Sequence, residues 1–279
     1  MTGCRLLRDP LAVISFFILM SLGVAVLAAP WLLSSNATAA DASDLSANLL
    51  PPSAEHLFGT DHLGRDLYAR VLLGGRYSLP IGLIVVGLSV LISMPLGALA
   101  GYTGGWLDEL TMRITDIFLA MPQLLLAIAL AAALGASFKT LILALVLTWW
   151  PWYVRLMRAQ ALALRRRDYV IASEALGASR LLILWRHILP NALTPLLVQA
   201  TSDIGGAILA GAALSFLGLG VQPPATDWGQ LVSDGRVYFP DRWWYATFPG
   251  GAIFLAALAF GLLGDALHAA LDPRLRKLI

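Results

Sequence analysis

The chain has 279 residues, of which 58% are hydrophobic and 13% charged, with a formal net charge of +2. Soluble domains carry about 25% charged residues, so this composition excludes an ordinary soluble domain, and the small net charge gives no reason to expect nucleic acid as a partner. The single cysteine, Cys4, excludes an internal disulfide framework, and with no histidine near it in sequence it is not a candidate ligand or nucleophile.

A spanning helix needs about 20 mostly apolar residues. Six segments qualify: 11–33, 79–101, 117–136, 140–157, 192–219 and 247–268. The first is followed by small residues ("AVLAAP", "NATAA"), as a cleaved leader would be. Its apolar run is longer than the roughly 7–15 residues of a secretory signal, so it is read as an uncleaved helix. The next stretch begins polar and small ("SSNATAADASDLSANLLPPSAE") and then gains order in "HLFGTDHLGRDLYARVLLGGRYSL". There Thr60 and Asp61 are expected to cap a short surface helix bearing Leu67, Val71 and Leu72, which Gly74-Gly75 stop. Lys139 and Arg155 bound the fourth segment and are expected to snorkel. Pro95, Pro122, Pro151 and Pro195 interrupt spans, which neighbouring helices or water can tolerate.

Between Arg155 and His187 the chain carries seven arginines. "RAQALALRRRDYVIASEALGAS" reads as a helix ending in a patch of small residues. Gly177 is expected to break it, and "RLLILWRHILP" to begin a second short helix that Pro190 separates from the fifth span. Lys and Arg concentrate on the cytoplasmic side of membrane proteins. That side receives Arg5, Arg8, Arg113, the arginine-rich segment, Arg274, Arg276 and Lys277, which sets both termini inside. Segments 34–78 and 220–246, whose basic residues are offset by acids, then lie outside. The first 78 residues form one unit, a helix with its outer loop; residues 79–279 form a five-helix core with a cytoplasmic loop at about 158–190.

No phosphate loop, H-E-x-x-H or G-x-S-x-G is present, so catalysis by this chain is not expected. Asp203 stands inside the fifth span. A charge at that depth is costly and faces a bundle interior or a watery cavity; the residue either pairs with a neighbouring helix or lines a path for solute. Gln123 and Gln199 are weaker candidates for the same path. Trp149, Trp150, Trp152, Tyr153, Trp243, Trp244 and Tyr245 are explained by interfacial belts, with substrate stacking as the alternative.

The arginine-rich segment resembles the cytoplasmic coupling loop of ABC-importer permeases, whose pattern is E-A-A, three residues, G, nine residues, I-x-L-P. Gly177, Leu189 and Pro190 fall in register, and Ala172 and Ser173 take the alanine positions. Ile171 replaces the usual glutamate, leaving Glu174 as the acid of the loop, and His187 replaces an isoleucine. The loop proper is Ala172, Ser173, Glu174, Ala175, Leu176, Gly177 and Ala178, anchored by Leu189 and Pro190. "GTDHLGRDLYARVLLGGRYSL", "GYTGGWLDELTMRITDIFLAMP", "LSFLGLGVQPPATDWG" and "LLGDALHAALDPRL" are similar to the second permease of dipeptide, oligopeptide and nickel importers. Gly261 departs from that branch, where asparagine is usual, and so does the Ala210-Gly211 neighbourhood, where many members carry an acid.

The resemblance implies an all-α integral membrane protein with six transmembrane helices and the type I importer permease fold, in a bacterial inner membrane. It implies a homologous second permease, two ATP-binding subunits that use the ATP and Mg, and an extracytoplasmic solute-binding protein, with no cofactor in this chain. Di- or oligopeptides are the expected solutes; nickel, a metal chelate or a glutathione-like solute is the alternative. A secondary transporter would show paired broken helices in inverted repeats, and none is seen in the sequence.

Overall fold

The structure, a computed structural model, describes residues 9–32 and 43–271. Both termini, including Cys4, Arg5, Arg8, Arg274, Arg276 and Lys277, lie outside the described residues, as does the start of the outer loop. The described chain is helical: α1 (Pro10–Leu32), α2 (Leu67–Thr103), α3 (Gly105–Leu119), α4 (Gln123–Leu134), α5 (Phe138–Arg165), α6 (Asp168–Ala175), α7 (Arg180–Phe216), α8 (Trp228–Gly235) and α9 (Trp244–Leu271). Helices α1, α2, α5, α7 and α9 are each long and apolar enough to cross a membrane, and α3 with α4 meets the same test as a broken span bent by 86°.

Four sequence expectations about helix boundaries fail, each for a local reason. Gly74-Gly75 do not stop a surface helix; α2 runs through them and on to Thr103, 37 residues in all. A Cβ at Gly75 would lie 2.4 Å from Val26 Cγ2, and one at Gly74 3.4 Å from the Asp227 backbone. These glycines are there for close approach of α1 and α8. The cap of α2 is Asp66, which accepts the Ala69 N–H at 2.9 Å, and not Thr60 or Asp61. Asp61 is committed to its own loop, accepting the N–H groups of Leu63 and Arg65 and the Arg65 Nε–H.

Nor does Pro190 separate two helices. Leu184–Ile188 form a π turn in which the Leu189 N–H reaches the Leu184 carbonyl, and the helix continues to Phe216. Proline lacks the N–H and its ring crowds the preceding turn; one widened turn accommodates both defects. The third span, expected as one helix over 117–136, is broken before Pro122, whose extended ψ of 119° ends α3 and starts α4. A residue preceding proline disfavours the helical region, so the break falls there.

The bundle is joined by small residues. Ser89, Ser93, Gly97 and Gly101 repeat every fourth position along one face of α2. A Cβ at Gly97 would sit 2.6 Å from the Val154 carbonyl oxygen and one at Gly101 2.5 Å from that of Arg158. The Ser93 hydroxyl lies 2.8 Å from the Trp150 carbonyl oxygen. In lipid, where apolar burial gives no drive for helices to associate, such close approach supplies the packing. Gly205 does the same for α7 against α9 at Ala257, and Gly82 for α2 against α7 at Ile204.

Residues 43–66 and 217–243 pack together at one end of the bundle, with His62 stacked on Tyr238. Phe58 stacks on Phe248, and His62 Nδ1 is 2.8 Å from the Tyr245 hydroxyl. Tyr77 meets Phe138 there, so the 135–138 turn shares this end. Trp244 and Tyr245 are buried in this cap and are not the interfacial belt expected of them. Asp227 caps α8, bonded to the Gln230 N–H and the Ser215 hydroxyl, and burial raises its pKa above the ordinary carboxylate value despite those bonds. The arginine-rich segment is at the opposite end, beside the α2–α3 junction.

Candidate functional site

Two places combine polar chemistry with access. The first is an open cleft of about 420 Å³ on the flank of the bundle, bordered by both sides of the α3–α4 break (Phe118, Leu119, Met121, Gln123), by Thr148, Trp149 and Trp152 of α5, and by Gln199 and Asp203 of α7; Met121, Gln123 and Trp152 are exposed. Asp203, Gln123 and Gln199, 80 residues apart at the extremes, line one space. Gln123 enters it from the first turn of α4, immediately after the α3–α4 break.

Asp203 is held by two neutral donors. The Tyr153 hydroxyl donates to Oδ2 at 2.7 Å, and Gln199 Nε2, one turn away on α7, donates to Oδ1 at 2.9 Å. Tyr153 is fully buried, so the acid's position is fixed from α5. The acid thus pairs with a neighbouring helix, as the first reading had it, and it also lines the cleft. Trp149 and Trp152 line the same cavity, against the expectation that interfacial belts account for them. Gln199 also borders a second cavity of about 400 Å³, with Gln160, Thr194 and His268. Thr194 lies nine residues before Asp203, about 13 Å of helix rise toward the arginine-rich end. Sequence reading missed Tyr153, Thr148 and this continuity, because they depend on which face of α5 meets α7.

The second place is the arginine-rich segment. Helix α6 ends in a glycine turn: Gly177 has φ +82°, its N–H bonds the Glu174 carbonyl at 3.0 Å, and the Ala178 N–H bonds that of Ser173 at 3.1 Å. That pair of bonds is a Schellman cap, which needs the left-handed conformation that glycine adopts without cost. Ser179 then caps the start of α7 through the Leu182 N–H. Ala172, Glu174, Ala175, Leu176 and Gly177 are exposed, Ser173 and Ala178 partly so. Around this tip lie exposed Tyr169, Ile171, Leu181 and Trp185, and Leu176 is 88% exposed. Leu189 is buried in the core, whereas Pro190 is exposed; they anchor the segment and take no part in its tip. Ile171 thus adds to an apolar surface where a charge was expected.

The arginines divide into two groups. Arg158 forks onto Asp108 of α3, its Nη2 lying 2.6 Å from Oδ2, and Arg155 pairs with Asp116. Those two fasten α5 to α3. Among the described residues, Arg165, Arg166, Arg167, Arg180 and Arg186 make no ion pair within 4 Å. The tip is tied back to the bundle by the Tyr102 hydroxyl, which donates to Glu174 at 2.8 Å.

Residues 93–277 match the family described as the binding-protein-dependent transport system inner membrane component, and residues 4–52 match the N-terminal TM domain of oligopeptide transport permease C. A probable D,D-dipeptide transport system permease protein of Escherichia coli (strain K12) is 48% identical over 266 residues, covering 95% of this chain and 88% of the relative. A dipeptide transport system permease protein of Alkalihalophilus pseudofirmus is 41% identical, covering 98% and 89%. An oligopeptide transport system permease protein of Bacillus subtilis (strain 168) is 43% identical, covering 81% and 74%.

Proposed function

The chain belongs to the family of binding-protein-dependent transport system inner membrane components, and from that premise we propose that it imports di- or oligopeptides as one of two homologous permeases. It is a multi-pass permease subunit of an ABC importer. In this reading the second permease completes the pathway, two ATP-binding subunits seat on the α6 tip, and a solute-binding protein delivers cargo at the opposite end. ATP and Mg²⁺ act in the partner subunits, and this chain holds no cofactor of its own. The coupling segment, and with it both termini, face the cytoplasm.

The observation that carries the reading is the α6 tip. It is small, apolar and solvent-facing, and a glycine cap keeps it rigid. A motor can move a gate only through an element that does not deform, and close approach of a partner's backbone needs residues such as Ala172, Ser173 and Ala175. Within the bundle, Asp203, Gln123 and Gln199 are assigned to the solute path, because one cavity presents all three. The peptide assignment is supported by relatives named for dipeptide and oligopeptide transport that match over most of the chain. Deleting the gene in its host and following a labelled dipeptide tests it: uptake should be lost and restored by the gene in trans. Unchanged uptake in a host without a second peptide importer would refute it.

A further inference from the structure

We propose that the cavity at Asp203 receives a protonated amine of the solute, the class to which a peptide's N-terminal ammonium belongs; this rests on the importer reading above. Three features of the cavity agree on a monovalent organic cation. Asp203 is the only acid among the lining residues, and among the described residues no Arg, Lys or His lies within 4 Å of its carboxylate. Its two hydrogen bonds come from neutral donors, Tyr153 and Gln199. A carboxylate has about four acceptor positions, so the acid is held in place with acceptor capacity left over. A charge at that depth is costly unless it is paired, and a bound ammonium would supply the counter-charge that the lining residues lack.

Trp149 and Trp152 line the same space. Indole faces attract ammonium groups, more so where water is scarce. The C-terminal end of α3, at Phe118 and Leu119, also borders it, and a helix C-terminus carries partial negative charge. All three terms repel an anion. A divalent metal suits the site less well: hard cations take six or more oxygen ligands, and the lining residues include no histidine or cysteine. The volume, about 420 Å³, falls within the roughly 300–1,000 Å³ of small-molecule sites. Gln123 and Thr148 add uncharged donors and acceptors, which suits a solute whose peptide groups vary little while its side chains vary widely.

The test uses the complete complex of permeases and ATPases in nanodiscs, without solute-binding protein, so that the permease's own preference is read. Equilibrium dialysis would compare a radiolabelled dipeptide, its C-terminal amide, its N-acetyl form and NiCl₂. The dipeptide and the amide should be retained with similar affinity and the N-acetyl form roughly tenfold to a hundredfold less, the range for a lost charge-assisted hydrogen bond. Asp203→Asn should erase that preference, and Asp203→Glu should keep it within a few-fold. Equal retention of the N-acetyl form, an unchanged preference in Asp203→Asn, tighter retention of Ni²⁺ than of dipeptide, or no retention of any probe would each overturn the assignment. A parallel uptake assay with the full transporter separates the two claims. Dipeptide import with a negative dialysis result removes this site alone, whereas no import removes the peptide reading itself.

Discussion

The Tyr102 hydroxyl, in the last turn of α2, donates to Glu174 Oε1 of α6 at 2.8 Å. The Arg165 guanidinium sits 5.9 Å above the same ring. Tyr102 is buried while Glu174 is exposed, so the bond links a solvent-facing helix to the 37-residue helix α2. Through its small-residue face α2 also packs on α5, which carries Tyr153 and hence Asp203. A displacement of α6 therefore has a continuous route of hydrogen bonds and packed helices to the cleft.

Tyr102→Phe keeps the ring and removes that bond. A hydrogen bond to a partly exposed charged group contributes about 1 kcal/mol, so the ratio of solute imported to ATP hydrolysed should fall by a factor of about five, with assembly intact. Parallel measurement of both rates in vesicles checks this; an unchanged ratio would show that the contact transmits nothing.

Gly177 is retained for its backbone. No atom lies within 4 Å of where its Cβ would be, yet its φ is +82°. Gly177→Ala should loosen the tip by about 1 kcal/mol, the cost of the left-handed conformation, while Gly177→Asn, which tolerates it, should retain most ATPase co-purification. If Asn fails as badly as Ala or Trp, the partner needs the empty space and the turn is not the reason.

Asp227 gives the outer end a pH dependence. Its folded pKa lies above the ordinary carboxylate value because it is buried, so the folded state binds a proton more tightly than the unfolded chain. The corresponding stability is full below about pH 4 and is lost as pH rises through the folded pKa. Asp227→Asn preserves a helix-capping side chain and should flatten that part of the slope in thermal midpoints measured between pH 4 and 7. An identical slope in wild type and variant would remove Asp227 as its source.

Sidedness can be read with cysteines at exposed positions. Ser46 and Val237 share the outer end, and Ser179 follows the α6 turn. An impermeant thiol reagent should label the first two in intact cells, in a Cys4→Ser background, and spare the third; labelling at Ser179 would invert the topology.

Much of this was legible in the sequence, because span length and apolar composition report directly on the bilayer. The α6 tip was legible too, since Gly177 followed by Ser179 spells a stop and a new start. What sequence could not give was the role of glycines and prolines in context. Gly74-Gly75 reads as a stop until Val26 and Trp228 are seen pressed against it, and Pro190 reads as a break until the π turn absorbs it. Asp203 was visible as an anomaly, but its partner Tyr153 was hidden in an aromatic cluster whose burial depends on helix rotation. Trp149 and Trp152 were misread for the same reason.

The most direct measurement is uptake into proteoliposomes holding this chain with its second permease and both ATPases, with ATP inside and the solute-binding protein and labelled dipeptide outside. Accumulation should require ATP, binding protein and this chain together, and should collapse in Gly177→Trp, whose bulk keeps the ATPases from seating while the permease itself still inserts. Accumulation that proceeds without ATP or without the binding protein would contradict the account.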